Sequence, residues 1–209
     1  NVISPITLAG TTPTLTIGDA GAEDAKIVFD GNAQDYHIGL DDSADTLVIG
    51  KGSALGTTTA MSFDANGIIT KPLQPAFLAI PSSNQNNMDN TDNVTVVFGT
   101  EVYDQNGDFS SNTFTAPVTG KYFLGVSLYL LNVDTAASYY QITIDTSNRD
   151  YFEITDPNFS ADLTYCGVNM GVVADMDAND TAFIRFNQSA GSAQIDINTD
   201  ARFMGYLLG

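Results

Sequence analysis

Apolar side chains recur at every second position along most of the chain, and this alternation limits the fold more than any other feature. The run FTAPVTGKYFLGVSLYL (114–130) is one example. Gly, Asn, Asp and Pro interrupt each run, as is typical of turns between strands. No segment has the apolar spacing of an amphipathic helix. The pattern therefore predicts an all-β protein.

The charge of the chain excludes two classes of partner. With 25 acidic and 7 basic residues, its net charge is −18. Nucleic acids and anionic membrane surfaces repel such a chain, so we expect neither as a partner. No apolar run reaches the ~20 residues of a membrane-spanning helix, so membrane insertion is not expected. The sequence begins at Asn1 without a methionine, and we expect a processed form or a fragment of a longer protein.

Two regions of different character meet at the proline-rich segment KPLQP (71–75). Residues 1–71 hold a loose repeat of short strands: LTIGD (15–19), IVFDG (27–31), HIGLDD (37–42), LVIGKG (47–52) and MSFDANG (61–67). Each apolar face is too small to be stable alone, so such units stack on neighbours or on other chains. We interpret residues 1–71 as a β-repeat stem or attachment module made from several chains. The alternative is a small independent sandwich.

Residues 72–209 carry longer apolar runs and most of the aromatic residues. Their number and spacing predict about ten strands in a two-sheet sandwich, and a jelly roll in particular. We interpret this region as a globular head.

Several motifs of the head occur in the order of a known family. They are PAFLAI (75–80), VVFGTEVYDQNGDFSSNTFTAPVTGKYFLGVSL (96–128) and FMGYLL (203–208). Together they resemble the complement C1q and tumour-necrosis-factor superfamily, whose central motif is matched by Phe98, Phe109, Phe114, Pro117, Gly120 and Tyr122. One departure is Phe123, since the family more often has its next aromatic at the place of Leu124. The resemblance implies a ten-stranded jelly roll that forms a homotrimer, binds ligands and is not an enzyme.

The stem has a resemblance of its own. The stretch DGNAQDYHIGLDDSADTLVIGKGSALGTTTAMSFDANGIITK (30–71) is similar to segments of marine bacteriophage structural proteins, where it precedes varied C-terminal heads. A β stem with a jelly-roll tip is also a common plan for phage fibres and spikes. This resemblance implies a virion fibre.

Both faces of the strand after the Pro117–Gly120 turn carry large apolar groups. One face is assigned to the sandwich core; it holds Tyr122, Leu124, Val126, Leu128 and Leu130. Phe123, Ser127 and Tyr129 share the other face, with Gly125 leaving room between them. Exposed aromatic residues on a strand are unusual for a monomer. We therefore predict that Phe123 and Tyr129 lie at a subunit interface of the trimer.

One acidic loop is a candidate metal site. DMDAND (175–180) places oxygen ligands at alternate positions, which calcium prefers. Its candidate ligands are Asp175, Asp177 and Asp180. The Gly and the distal Glu of a helix-loop-helix calcium motif are missing, and the alternative interpretation is an ordinary acidic turn. Calcium is the only candidate cofactor.

An enzyme is not expected, and no catalytic residues are assigned. Carboxylate pairs are abundant, but Asp residues in turns explain them, and no nucleophile elbow, P-loop or zinc-protease motif occurs. Cys166 and His37 are the only residues of their kinds. We interpret Cys166 as a structural thiol of the core.

Together, the two resemblances imply a structural and adhesive virion protein on the virion surface. It is a trimeric tail fibre, head fibre or spike of a phage, whose N-terminal end contacts other virion proteins and whose tip binds a host surface glycan or protein. The alternative is a secreted or cell-surface C1q-like lectin. A polysaccharide-cleaving tip enzyme is a distant third.

Overall fold

The computed structural model describes residues 6–208. These residues form seventeen β-strands and one three-residue 3-10 turn, with no α-helix among them, so the all-β prediction is confirmed. In this part of the chain no helix is long and apolar enough to cross a bilayer. The chain divides into two compact units, Asn1–Leu73 and Gln74–Gly209. The roles of residues 1–71 as a stem and 72–209 as a head stay predictions.

The first unit contains a single antiparallel sheet with its strands in chain order. The strands are β1 (Ala25–Phe29), β2 (Tyr36–Asp41), β3 (Thr46–Lys51), β4 (Thr59–Phe63) and β5 (Ile69–Thr70). Four of the five predicted repeat units contribute strands to this sheet. The prediction is wrong for LTIGD (15–19), which forms no strand. Its two apolar side chains bury too little surface to order it without a partner strand.

The segment 52–58 covers the centre of one face of this sheet. His37 and Val48 point to that face and are buried. The His37 Nδ1 lies 2.8 Å from the Gly52 carbonyl oxygen. Gly50 is needed beneath the ring, because a Cβ there would lie 2.6 Å from His37. The segment is thus held against the sheet by close contacts rather than by a large apolar core.

The second unit is a sandwich of two antiparallel sheets. Its strands are β6 (Ala76–Ile80), β7 (Val94–Thr95), β8 (Thr100–Asp104), β9 (Phe109–Ser110), β10 (Thr113–Thr115), β11 (Gly120–Val133), β12 (Tyr139–Thr146), β13 (Asp150–Thr155), β14 (Leu163–Met176), β15 (Thr181–Ser189), β16 (Asp196–Ile197) and β17 (Arg202–Leu207). Sheet I has the order β14–β11–β17–β6–β8, with β16 on β11; sheet II has the order β13–β12–β15–β10–β9, with β7 on β15. This is the predicted jelly roll, with twelve strands rather than about ten; β8 and β9 are the additional ones, and β7, β9 and β16 are only two-residue pairings.

Four phenylalanines from both sheets meet at the centre of the sandwich. The Phe77 ring stacks on Phe109 and Phe114 at centroid distances of 4.9 and 5.0 Å, and Phe203 meets it edge-on at 5.0 Å. All four side chains are buried. Aromatic pairs in such geometries add about 0.5–1.5 kcal/mol each beyond their area burial. We name this group the aromatic core, and Phe77 is its central member.

The buried Tyr140 of β12 makes the free energy of unfolding of the sandwich depend on pH in the alkaline range. Its buried hydroxyl donates to the Asp134 carbonyl oxygen at 2.6 Å, and burial raises the pKa of Tyr140 to about 12. An unfolded tyrosine loses its proton near about pH 10. Between about pH 10 and pH 12 the unfolded state therefore binds fewer protons than the folded state, and the free energy of unfolding falls as the pH rises.

We expect urea unfolding of Tyr140→Phe to show a smaller alkaline loss of stability than the wild type. The matched control is Tyr103→Phe, which removes the hydroxyl of an exposed tyrosine and should show the same alkaline loss as the wild type. Equal losses in Tyr140→Phe and the wild type would contradict this assignment.

Candidate functional site

Strand β11 separates its side chains onto two faces, as predicted. Those buried in the sandwich are Tyr122, Leu124, Val126, Leu128 and Leu130. The Tyr122 hydroxyl donates to the Val118 carbonyl oxygen at 2.7 Å, which ties the preceding turn to the strand. Phe123, Ser127 and Tyr129 lie on the opposite face and are partly exposed. The facing is confirmed, whereas the subunit interface at Phe123 and Tyr129 stays a prediction.

Two glycines shape the outer face of sheet I around Phe123. Gly125 of β11 pairs directly with Gly171 of β14. The Phe123 ring lies over both, since a Cβ would meet it at 3.0 Å from Gly125 and at 3.3 Å from Gly171. The ring also contacts the Tyr206 ring of β17, with centroids 5.3 Å apart. Phe123 is thus seated in a glycine-lined hollow with part of its surface open to solvent.

A second aromatic pair lies further along the same face. The rings of Tyr129 and Tyr165 stack with their planes 10° apart and their centroids 5.9 Å apart. Tyr165 is 62% exposed, and Tyr103 and Tyr206 are also exposed. By strand register all these side chains share one face of sheet I. We name it the aromatic face; it comprises Tyr103, Phe123, Tyr129, Tyr165 and Tyr206.

A groove of about 430 Å³ adjoins Tyr129 on the aromatic face. Its lining includes Ser127, Tyr129, Asn169, Asp200 and Arg202. Hydroxyl, amide, carboxylate and guanidinium groups beside an aromatic ring provide both hydrogen bonding and stacking. The groove is open to solvent, and it places these hydrogen-bonding groups beside the Tyr129 ring.

Two residues of this region, Asn169 and Arg202, belong to none of the sequence motifs, and the motif that contains Tyr206 does not indicate which residue it contacts. Asn169 and Arg202 both pair with Ser127, one from each neighbouring strand, and Tyr206 pairs with Phe123. Their proximity depends on the registers of β14 and β17 against β11. Alternation within FMGYLL (203–208) shows only which face Tyr206 takes, not its partner.

The acidic turn between β14 and β15 is held by hydrogen bonds among its own residues and their neighbours. The Asp175 Oδ2 lies 2.8 Å from the Arg149 Nη2. The Asp180 Oδ2 accepts from the Asp177 N–H and from the Asn148 amide, both at 2.8 Å. Within residues 6–208 no three Asp, Glu, His or Cys side chains form a group that could hold a metal ion. The calcium site at Asp175, Asp177 and Asp180 stays a prediction, and these bonds are those expected of the alternative acidic turn.

The only cysteine and the only histidine of the chain are both packed against neighbouring residues. Cys166 is partly buried and packs against the core of the sandwich. His37 is enclosed in the first unit beside Gly52. Both fit the interpretation of structural rather than reactive side chains.

Comparisons with known proteins place the sandwich in a family. Residues 76–208 match the family model of the C1q domain. The globular domain of zebrafish complement 1qA protein aligns with a TM-score of 0.50 and 17% identity, over 65% of this chain and 98% of that chain. Murine APRIL aligns with a TM-score of 0.46 and 11% identity, over 65% of this chain and 99% of that chain. No curated protein sequence is significantly similar to the chain. The zebrafish match shows a shared fold.

Proposed function

The chain belongs to the C1q domain family, and from this premise we propose that it is a structural and adhesive virion protein. It forms a homotrimeric fibre or spike of a bacteriophage, at the virion surface and outside the cell. Its N-terminal unit attaches to other virion proteins, and its jelly-roll tip binds a host surface glycan or protein. The resemblance of residues 30–71 to phage structural proteins supports the virion part of the proposal.

The observation that most supports an adhesive, trimeric head is the aromatic face of sheet I. Monomeric proteins rarely leave so many aromatic side chains uncovered on one face. Phe123, seated over two glycines, offers a preformed surface for another subunit. Where neighbouring copies leave part of the face open, the groove beside Tyr129 offers hydrogen-bonding groups to a ligand. Since Tyr129 borders both the predicted subunit interface and the groove, ligand contact would use only the part of the groove that neighbouring copies leave uncovered.

The binding mechanism that we propose is multivalency. Three weak sites on one trimer, repeated over many fibres, raise the overall affinity without any single tight site. The charge of −18 keeps such particles soluble and apart.

We infer that the head has no enzymatic activity. Glycoside hydrolysis requires two carboxyl groups flanking the bond that is cleaved. Of the seven residues that line the groove, only Asp200 carries a carboxylate. A second pocket of the head contains two carboxylates, but Asp175 there is ion-paired with Arg149 and Asp177 accepts a hydrogen bond from the Thr119 hydroxyl. Release of reducing ends from a host polysaccharide by the purified chain would refute this inference.

The proposal is tested on purified particles and on the purified chain. We expect mass spectrometry to detect the chain in virions, and we expect the purified chain to block adsorption of those virions to host cells. Tyr165→Ala should block less well, since it removes an exposed aromatic ring beside the groove.

The matched control for Tyr165→Ala is Phe152→Ala, which removes an aromatic ring with 56% exposure from sheet II. It should block adsorption as well as the wild type. If the chain is absent from all particles, the secreted or cell-surface C1q-like lectin replaces the virion protein. If the chain is present in virions but never blocks adsorption, its role is structural without adhesion.

A further inference from the structure

The sheet of the first unit presents one continuous apolar face. Register places its side chains in cross-strand rows, since Ile27, Ile38, Ile49 and Met61 are direct partners in turn. A second row runs through Leu40, Leu47, Phe63 and Ile69. We name this surface the stem face; it comprises Ile27, Phe29, Tyr36, Ile38, Leu40, Leu47, Ile49, Met61, Phe63 and Ile69.

The stem face is open over most of its area. Seven of its side chains are between 38% and 55% exposed. Since a large side chain presents about 150–250 Å² when fully exposed, seven that are about half exposed leave on the order of 700 Å² of mostly apolar surface uncovered. The largest apolar patch of a typical monomer is about 300–600 Å². A stable protein–protein interface buries about 800 Å² on each partner, so the stem face alone comes close to supplying one side of such an interface.

Charge limits what can cover the stem face. Among the strand residues of this face, Lys51 is the only one with a charged side chain. Among the five strands of the unit the single acidic residue, Asp41, points to the opposite face, and the other acids lie outside the strands. The partner must therefore be apolar, and it must also tolerate the acidic residues that surround the stem face. A second copy of the chain supplies an apolar surface of equal size at equal concentration.

We infer that the stem face is a self-association surface, on which the stem face of a second copy of this chain packs. Sheet-on-sheet packing places the two faces about 10 Å apart and interdigitates their side-chain rows. Each copy then gains the second layer that a five-stranded single sheet lacks. Packing of one stem face on another joins copies in pairs, so the inference goes beyond the proposed trimeric head and does not rest on it.

Two adjacent residues on the edge strand β1 provide a matched test. Ile27 lies on the stem face and Val28 on the opposite face, and their exposed fractions are 43% and 37%. Each is replaced by cysteine in the full chain carrying Cys166→Ala, and the rate of maleimide labelling is measured. A single chain exposes both positions nearly equally. Self-association through the stem face should slow labelling at position 27 by at least about tenfold relative to position 28.

A further variant and a mass measurement identify what covers the face. Ile38→Glu places a charge in the centre of the stem face and should restore fast labelling at position 27. Similar labelling rates at positions 27 and 28 in the parent would overturn the inference. Protection in a sample whose mass by light scattering is that of one chain would also overturn it, because the chain would then cover its own face.

The same measurements separate this inference from the proposed trimeric head. Equal labelling in a particle of three chains leaves the head trimer standing and refutes the stem contact. Protection at position 27 in a multimer that does not contain three chains supports the stem contact and refutes the trimer.

Discussion

Phe77→Ala is expected to destabilise the head by about 3–5 kcal/mol, the usual cost of removing a buried phenylalanine ring. The ring is fully enclosed, and the ring centroids of three other phenylalanines lie within 5.0 Å of its own centroid. Two of these belong to sheet II and one to sheet I, so the cavity would lie where the two sheets meet. Close packing on both sides limits how far the neighbours can relax into it.

Urea unfolding followed by tyrosine fluorescence measures this effect for the head. The chain has nine tyrosines and no tryptophan, and Tyr36 is the only tyrosine before residue 74. Phe152→Ala is the matched control, since that ring is exposed, and its cost should be below about 1 kcal/mol. A loss below about 1 kcal/mol in Phe77→Ala would show that the aromatic core is not the packing centre described above.

In a chain whose stem contact is removed by Ile38→Glu, Phe123→Glu is expected to convert a trimer into monomers, lowering the mass measured by light scattering about threefold. A charge in the proposed interface would have to lose its hydration when the subunits meet, at a cost of several kcal/mol with no partner charge. The ring lies on the outer face of sheet I rather than in the core, so the fold itself should survive.

The control for this prediction is Phe152→Glu, which introduces the same charge on the outer face of sheet II and should leave the mass unchanged. Tyrosine fluorescence in urea checks that Phe123→Glu is still folded. A folded Phe123→Glu head that keeps the mass of three chains would place the interface elsewhere. A wild-type chain that is itself monomeric would remove the trimer from the proposed function.

Local alternation predicted the head well because it reports directly on which side chains face the core. Period-two spacing alone indicates the inward row that includes Tyr122 and Leu128. The number and spacing of the strands indicate the jelly-roll class. The glycine-lined seat of Phe123 required the pairing of Gly125 with Gly171, residues 46 positions apart. The groove required β14 and β17 to meet on either side of Ser127.

The stem shows the limit of the same reasoning. Short apolar pairs predicted four of its strands, but LTIGD has the same pattern and no partner strand, since a period-two pattern supplies no backbone hydrogen bonds by itself. Cross-strand rows such as Ile27, Ile38 and Ile49 arise from turn lengths that set the register. In the acidic turn, alternate carboxylates fit calcium and a hydrogen-bonded turn equally well, and only bonds such as that from Asn148 to Asp180 favour one arrangement.

The hollow beneath Phe123 has a consequence for how the chain folds. β11 and β14 form a long antiparallel ladder, and long regular ladders can form with their strands offset by two residues while keeping the same faces inside. Any such offset would separate Gly125 from Gly171 and leave the Phe123 ring above a larger side chain. Shifted pairings are therefore less stable than the native one. The two glycines favour the native register of β11 against β14 because neither carries a side chain beneath the Phe123 ring.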